Sequence, residues 1–288
     1  MTAPTAMRGT SRFVDVAGVT LHAREDGALA PTGALGKAQT RGSTSASTFV
    51  YLNSLGSDLR IWDGVVARVP EHAHLRFDQR GHGLSDAPSG PYSITALALD
   101  ALGLIARTGL ERAVLVGVSV GGMIAMRAAL ERPDLVAGLV LCDTAAKIGD
   151  DASWTARIAS VRDRGLADMA DEVLQRWFPP AFRSGRPADY RGYRNMLART
   201  PVEGYVGTCA ALRDEDLRDR VARLTMPSLV LGGSEDGSTP PETVVAFAGT
   251  LPGARFELVE GAGHLPSIDA PDVVADHLRA FLSEVESA

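Results

Sequence analysis

The amino-acid sequence predicts an α/β fold: a mostly parallel sheet of eight strands with helices on both faces. Three observations carry this. Short apolar runs recur at Thr48–Leu52, Leu75–Phe77, Ala113–Val116, Leu135–Cys142, Ser228–Gly232 and Arg255–Val259. They are nearly continuous in apolar character, as strands buried on both faces must be, rather than alternating. Between them lie segments of helical period, such as Ile94–Arg107, Met123–Glu131 and Pro271–Glu284; in the last, Val273, Val274, His277, Leu278, Phe281 and Leu282 share one face.

The remaining elements fall into place in chain order. Phe13–Val16 and Val19–Arg24 alternate around Ala17-Gly18 and read as a β-hairpin. From Gly27 to Thr48 the chain turns to Gly, Ala, Ser and Thr with no apolar period, so a mobile surface loop is expected. The helix beginning at Met123 is stopped by Pro133. One stretch breaks the strand–helix rhythm. Residues 145–212 contain helical patches, Trp154–Arg162 and Leu166–Phe178, together with Pro179-Pro180, Pro187 and Pro201, and no buried strand. A helical cap inserted after the sixth strand is therefore predicted, with residues 1–144 and 213–288 forming the core. The cap carries ten basic against eight acidic side chains, whereas the whole chain has a net charge of −6. A positive lid over a negative body suits an anionic ligand, and an ordinary solvated surface accounts for the same count.

Composition narrows the classes of function. With 288 residues the chain suffices for one large domain or a domain with a lid, since a single core stops growing at about 250–300 residues. The net negative charge argues against a nucleic-acid partner, which requires clustered Lys and Arg. No apolar run approaches the ~20 residues of a membrane span. Met1–Thr10 lacks the apolar core of a signal peptide, and a cytoplasmic enzyme is the expectation. Cys142 and Cys209 are too few for a disulfide framework, and Cys142, inside an apolar run, reads as a buried, inert thiol. His72-Ala73-His74 reads as part of a polar connector with no Cys or carboxylate at ligand spacing, so no metal is expected. No nucleotide cofactor is expected either, because the glycine-rich stretches lack both the G-x-G-x-x-G order and a P-loop lysine.

The sharpest motif is Gly117-Val118-Ser119-Val120-Gly121, placed between a buried strand and a helix. So abrupt a reversal forces the central residue into a strained backbone, and glycines two positions away avoid collision with neighbouring backbone. The strain holds the Ser119 hydroxyl outward at a helix N-terminus, where the dipole favours developing negative charge. A serine nucleophile needs a base that is itself oriented by a third group. The order serine, acid, histidine places both partners after the insertion. His264, between Gly263 and Leu265 in the loop after Arg255–Val259, is the base of choice. For the acid, Asp236 follows Ser228–Gly232; its neighbour Glu235 and Asp143, just past the sixth strand, are alternatives. Asp236 is preferred because its loop ends in Thr239-Pro240-Pro241, which starts a helix and fixes the turn. Acyl transfer also needs oxyanion donors. The Val120 N–H is one, and in Asn53-Ser54-Leu55-Gly56 the Leu55 N–H is chosen ahead of Ser54. Asp78–Ser85 reads as scaffold, with a charge pair and glycines for a tight loop.

The G-x-S-x-G elbow, Asp-x-Arg-Gly-x-Gly-x-Ser at Asp78–Ser85, the Asp236 loop and the His264 loop are together similar to the α/β-hydrolase superfamily, from about Phe13 to the C-terminus. The resemblance implies the α/β-hydrolase fold and a Ser119–Asp236–His264 catalytic triad. A narrower resemblance, to the 3-oxoadipate enol-lactonases, rests on Asn53–Leu59, Leu141–Gly149 and Arg194–Asp214. The last two lie in or beside the insertion, the part that varies most with substrate. This likeness implies a cofactor-free opening of 3-oxoadipate enol-lactone in the breakdown of protocatechuate or catechol. It also implies that Trp154 lines the substrate pocket and that the small lactone is anionic; Arg157 and Arg194 are candidates, by position, for its carboxylate. A general carboxylesterase, a lactonase with another substrate, and a non-catalytic ligand-binding protein of this fold are the competing readings. An intact Ser119, Asp236 and His264 argues against the last.

Overall fold

The computed structural model describes residues 9–27 and 48–287. The loop expected over Gly27–Thr48 therefore lies, apart from its two ends, outside the described residues. The chain opens with the hairpin. Strands β1 (Thr10–Val16) and β2 (Val19–Asp26) pair antiparallel through Val16 and Val19. Ala17 and Gly18 both turn at positive φ, the mirror-image turn whose twist matches that of the strands.

Six further strands follow: β3 (Thr48–Leu52), β4 (Ala73–Phe77), β5 (Ala113–Val118), β6 (Val136–Cys142), β7 (Ser228–Gly233) and β8 (Arg255–Val259). All eight form one sheet in the order β1-β2-β4-β3-β5-β6-β7-β8. Strand β2 meets β4 antiparallel, and every later pairing is parallel. All residues of β3, β4, β5 and β6 are buried, as a parallel sheet covered on both faces requires.

Before the insertion the cover comes from α1 (Asp63–Val66), α2 (Ile94–Thr108) and α3 (Val120–Glu131). Helix α2 starts where the Ser93 hydroxyl accepts the Ala96 N–H at 3.1 Å and ends at Gly109, φ 73°. It buries Leu97, Ala101, Leu104 and Ile105, each Leu or Ile contributing about 1.5–3 kcal/mol of transfer free energy. The segment between β6 and β7 is helical: α4 (Asp151–Arg164), α5 (Leu166–Trp177), α6 (Pro180–Gly185), α7 (Pro187–Ala198) and α8 (Val202–Asp214). Pro180 and Pro187 begin helices rather than break them, because the first turn has no use for the missing N–H. Behind α5, Phe178 stacks on Phe182 at 4.3 Å between centroids, with Tyr190 and Tyr193 against it. The chain closes with α9 (Pro241–Ala248), α10 (Pro266–Asp269) and α11 (Pro271–Ser287). Helix α11 packs on β6 at Gly138, where a Cβ would lie 2.9 Å from the Phe281 ring. No helix among the described residues is long and apolar enough to cross a membrane.

Two readings need correction. His74 does not lie in a polar connector; β4 begins at Ala73, and His74 is fully buried. Its ring nitrogens are both satisfied, by the Tyr51 hydroxyl at 2.9 Å and the Val69 carbonyl at 2.7 Å, and burial pushes its pKa down to about 4. Two well-placed partners are what let a polar ring enter a core. Nor do Asp78 and Arg80 pair with each other. Asp78 binds His22 at 2.8 Å, and Arg80 is paired with Asp100.

The strand order fixes the location of any site. From β3 the chain moves to β4 on one side, then crosses to β5 on the other. Open α/β sheets bind ligands at the carboxyl ends of strands at such a switch point.

Candidate functional site

Loops after β3, β5, β6, β7 and β8 converge there. Ser119 sits between β5 and α3 with φ 59° and ψ −123°, a strained conformation for a residue with a side chain. The glycines flanking it leave no choice of residue. A Cβ on Gly117 would stand 2.3 Å from the Gly121 carbonyl oxygen, and one on Gly121 would stand 2.3 Å from that of Leu52. The elbow is tied to β6, since the Ser119 N–H donates to Cys142 O at 2.9 Å and Thr144 Oγ1 donates to Ser119 O at 2.7 Å.

His264 follows β8 and is held by its own N–H, which donates to Trp177 O at 2.8 Å. Gly263 is needed because a Cβ there would meet the same carbonyl at 2.3 Å. His264 Nδ1 lies 2.8 Å from Asp236 Oδ2, with both side chains buried. The other oxygen, Oδ1, accepts the Ser238 and Thr239 N–H groups at 2.6 and 3.1 Å. Of the three acids weighed in the sequence, Asp236 is the one paired with the imidazole. Glu235 has no hydrogen bond to it, and Asp143 lies behind Asp236, its Oδ1 accepting the Gly233 N–H at 2.7 Å. Ser119 and His264 are not hydrogen-bonded to each other.

The Val120 N–H opens α3, and the Leu55 N–H lies in the turn after β3; neither has an acceptor among the described residues. Leu55 belongs to a loop that His82 supports from below, with Nε2 accepting the Gly56 N–H at 2.9 Å. Nδ1 must then carry the proton, 3.2 Å from Arg80 O. Burial keeps this ring neutral by pushing its pKa down to about 4. The Asp78–Ser85 segment is thus scaffold, and what it supports is the turn that presents Leu55. Its charged and glycine-rich character was visible in sequence, but its partner, twenty-six residues away, was not.

The insertion seats itself on this loop cluster. The Tyr205 ring of α8 would be 3.0 Å from a Cβ on Gly56, and Gly204 abuts Gly81. The end of α5 touches the acid loop, with the Gly237 N–H donating to Arg176 O at 3.1 Å. Arg157 of α4 neighbours Tyr205, and its charge reaches Arg176. Neither arginine has a carboxylate within ion-pair distance among the described residues. Burial, and then the charge of Arg157, lowers the Arg176 pKa. Arg194 instead spends its charge on Asp171, both oxygens at 3.1 Å, and on Ala167 O. Trp154 lies on the first turn of α4, half-buried against the core, with Nε1 donating to Ile148 O at 2.6 Å. Cys142 and Cys209 are buried thiols, the latter pushed up to about 12 by burial. Two side cavities, of about 350 and 340 Å³, are lined by neither Ser119 nor His264. Among the described residues no cluster of His, Cys, Asp and Glu is arranged to hold a metal.

Comparison with known proteins agrees with this geometry. A model of the α/β-hydrolase fold family matches residues 47–271. The chain is 31% identical over 244 residues to 3-oxoadipate enol-lactonase 2 of Acinetobacter baylyi, covering 84% of this chain and 91% of that protein. The crystal structure of the enol-lactonase from Burkholderia xenovorans LB400 aligns with a TM-score of 0.86 at 34% identity, covering 94% of this chain and 100% of that one. A malate-bound thermophilic esterase from Thermogutta terrifontis aligns at 0.83 with 27% identity, covering 96% and 99%. From its strand order, its strained serine at the switch point and a match over most of its length, the chain belongs to the α/β-hydrolase fold family.

Proposed function

We propose that this carboxylic ester hydrolase opens the ring of 3-oxoadipate enol-lactone (4,5-dihydro-5-oxofuran-2-acetate) to 3-oxoadipate, a step in the β-ketoadipate route of aromatic breakdown. The observation that carries the reading is the buried His264–Asp236 pair at the same strand ends as the strained Ser119, in a chain 31% and 34% identical to two enol-lactonases. Ser119 Oγ attacks the lactone carbonyl while His264 takes its proton at Nε2, Nδ1–H being engaged with Asp236. The Val120 and Leu55 N–H groups receive the developing oxyanion. The ring C–O bond breaks, His264 returns its proton to the departing enol oxygen, and the enol tautomerises to a ketone. Water, deprotonated by His264, then attacks the acyl-enzyme, and Ser119 regains its proton as 3-oxoadipate departs.

The arginine pair supports an anionic substrate. Arg176, whose backbone carbonyl holds the Asp236 loop, and Arg157, a neighbour of Tyr205 near the Gly56 turn, feel each other's positive charge, and neither has a carboxylate within ion-pair distance among the described residues. A substrate carboxylate there relieves their repulsion and accepts charge-assisted hydrogen bonds. Arg157 with Arg176 suits this role better than Arg194, which Asp171 already neutralises. Trp154, half-buried on the first turn of α4, is the aromatic side chain we assign to the substrate pocket. Residues 145–212 act as the cap that selects substrate, over a core formed by the rest of the chain.

Turnover of the enol-lactone against p-nitrophenyl acetate tests the assignment. The lactone is expected to be the far better substrate; a simple ester hydrolysed much faster makes the chain a general carboxylesterase. Ser119→Ala is expected to lose about 10³-fold or more in kcat on both substrates. A variant as active as wild type would make the protein a binder of this fold rather than a serine enzyme. Arg176→Met is expected to raise KM for the lactone and leave the neutral ester unaffected.

A further inference from the structure

Asp143 has no place in the mechanism above, yet it is the most deeply placed carboxyl group near it. It follows β6 with φ 46° and is fully buried. Its N–H donates to Leu231 O at 2.9 Å, and its Oδ1 accepts the Gly233 N–H. Its Oδ2 has no donor at all. Gly233 also links it to Asp236, whose N–H donates to Gly233 O at 3.3 Å, and the two side chains lie against each other. Two buried carboxyls in contact cannot both ionise. The donors decide which one does. Asp236 has three, from Ser238, Thr239 and His264, and Asp143 has one.

We propose that Asp143 is a neutral carboxylic acid at working pH, donating its Oδ2–H to the Asp236 carboxylate, and that it is a positioning residue for the Asp236–His264 pair. The groups facing it agree. Asp236 comes from the β7–α9 loop and Asp269 from α10, both acidic, and Cys142 precedes it on β6; among the described residues no Lys or Arg is paired with it. Burial, and next the charge of Asp236, raises its pKa well above the ordinary carboxylate range. The bond disperses part of the Asp236 charge and fixes the carboxylate in line with Nδ1. It thereby sets how strongly Asp236 stabilises the imidazolium. The functional half of this inference rests on the triad reading of Ser119, Asp236 and His264; the protonation half does not.

Two measurements separate those halves. In deuterated buffer at about pH 8.5, where Asp269 with its pKa of about 7 is ionised, the wild type should keep a protonated-carboxyl C=O infrared band that Asp143→Asn removes. A wild-type spectrum without such a band overturns the proposal whether or not the variant folds and whatever the protein hydrolyses. The pH profile of kcat/KM on the best ester or lactone substrate tests the role. Asparagine tolerates the left-handed backbone, and its amide both accepts from Gly233 and donates to Asp236. The acidic limb of Asp143→Asn should therefore coincide with wild type, with kcat/KM within about threefold. Asp143→Ala, with no donor, should lose about tenfold or more and shift the limb to higher pH, because Asp236 then holds the imidazolium more tightly. If Asp143 is instead an anion, Asp143→Asn removes a negative charge beside the pair, and the limb falls by about one unit or more. That result overturns the proposal.

Discussion

Gly121→Ala puts the elbow geometry to a quantitative test. The added Cβ would sit 2.3 Å from Leu52 O, 2.6 Å from Leu52 C and 2.8 Å from Asn53 O, all of them backbone. Real Cβ atoms essentially never approach closer than 3.0 Å, so one side must retreat by about 0.7 Å, the difference between 3.0 and 2.3. Leu52 cannot give easily, because it is paired with Gly117 in the sheet. The start of α3 moves instead, and with it the Val120 N–H, away from the turn that carries Leu55. Overpacking of this kind costs about 1–3 kcal/mol, or a fall of about 2–5 °C in Tm for a chain of this size. Losing one oxyanion donor costs about 10²–10³ in kcat. The same fold-loss is expected on lactone and simple ester, because both develop the same oxyanion. The assay is thermal unfolding with kcat on both substrates, and Gly192→Ala is the control. Gly192 lies inside α7, where a Cβ meets nothing within 4 Å, and alanine there should stabilise by about 0.5–1 kcal/mol with kcat unchanged. A Gly121→Ala enzyme with wild-type kcat and Tm would refute both the steric reasoning and the role given to Val120.

Three further outcomes are expected. Asp236→Asn keeps the shape but presents the wrong partner to Nδ1, so kcat should fall about 10⁴-fold while Tm changes little; a loss below tenfold would mean another acid orients His264. His82→Ala removes the acceptor of the buried Gly56 N–H, and urea unfolding should register a loss of about 1–3 kcal/mol, together with a lower kcat as the Leu55 turn loosens; unchanged kcat would detach that turn from catalysis. Asp269 has its pKa raised to about 7, chiefly by burial. Because the folded protein then holds a proton the unfolded chain has released, stability is greatest below about pH 4 for this group and declines as pH rises towards about 7. Asp269→Asn should remove that decline, measured as ΔG of unfolding against pH relative to wild type; identical slopes would show that the carboxyl is not held protonated.

Much of this protein is written locally in its sequence. Strands β3, β5, β6 and β7 were legible because a strand covered on both faces must be apolar throughout, and these are buried throughout; β1 and β2 were legible because they alternate around Ala17-Gly18. The serine elbow was legible because strand, glycine-spaced turn and helix are contiguous, so the strain and its relief lie within five residues. His264 was legible for the same reason, standing beside a glycine in the loop after β8. His74 was misread because period and polarity do not report hydrogen-bond partners, and its acceptance into the core depends on Tyr51 and Val69. The prolines of the insertion mark boundaries without saying on which side the helix lies; Pro180 and Pro187 start helices.

What only the tertiary structure decided are relations between side chains distant in the chain. Asp236 and Asp143 both follow strands and both suited the histidine. The choice between them is made by three donors on one and a single donor on the other, supplied by Gly233, Ser238, Thr239 and His264. Arg157 and Arg194 were equivalent by position until folding paired Arg194 with Asp171 and set Arg157 against Tyr205 with no ion-pair partner among the described residues. The physical reason is common to all of these. Backbone propensity and burial act over a few neighbouring residues and leave a periodic trace, whereas ion pairing, proton placement and anion binding depend on distances of a few ångströms between residues tens of positions apart.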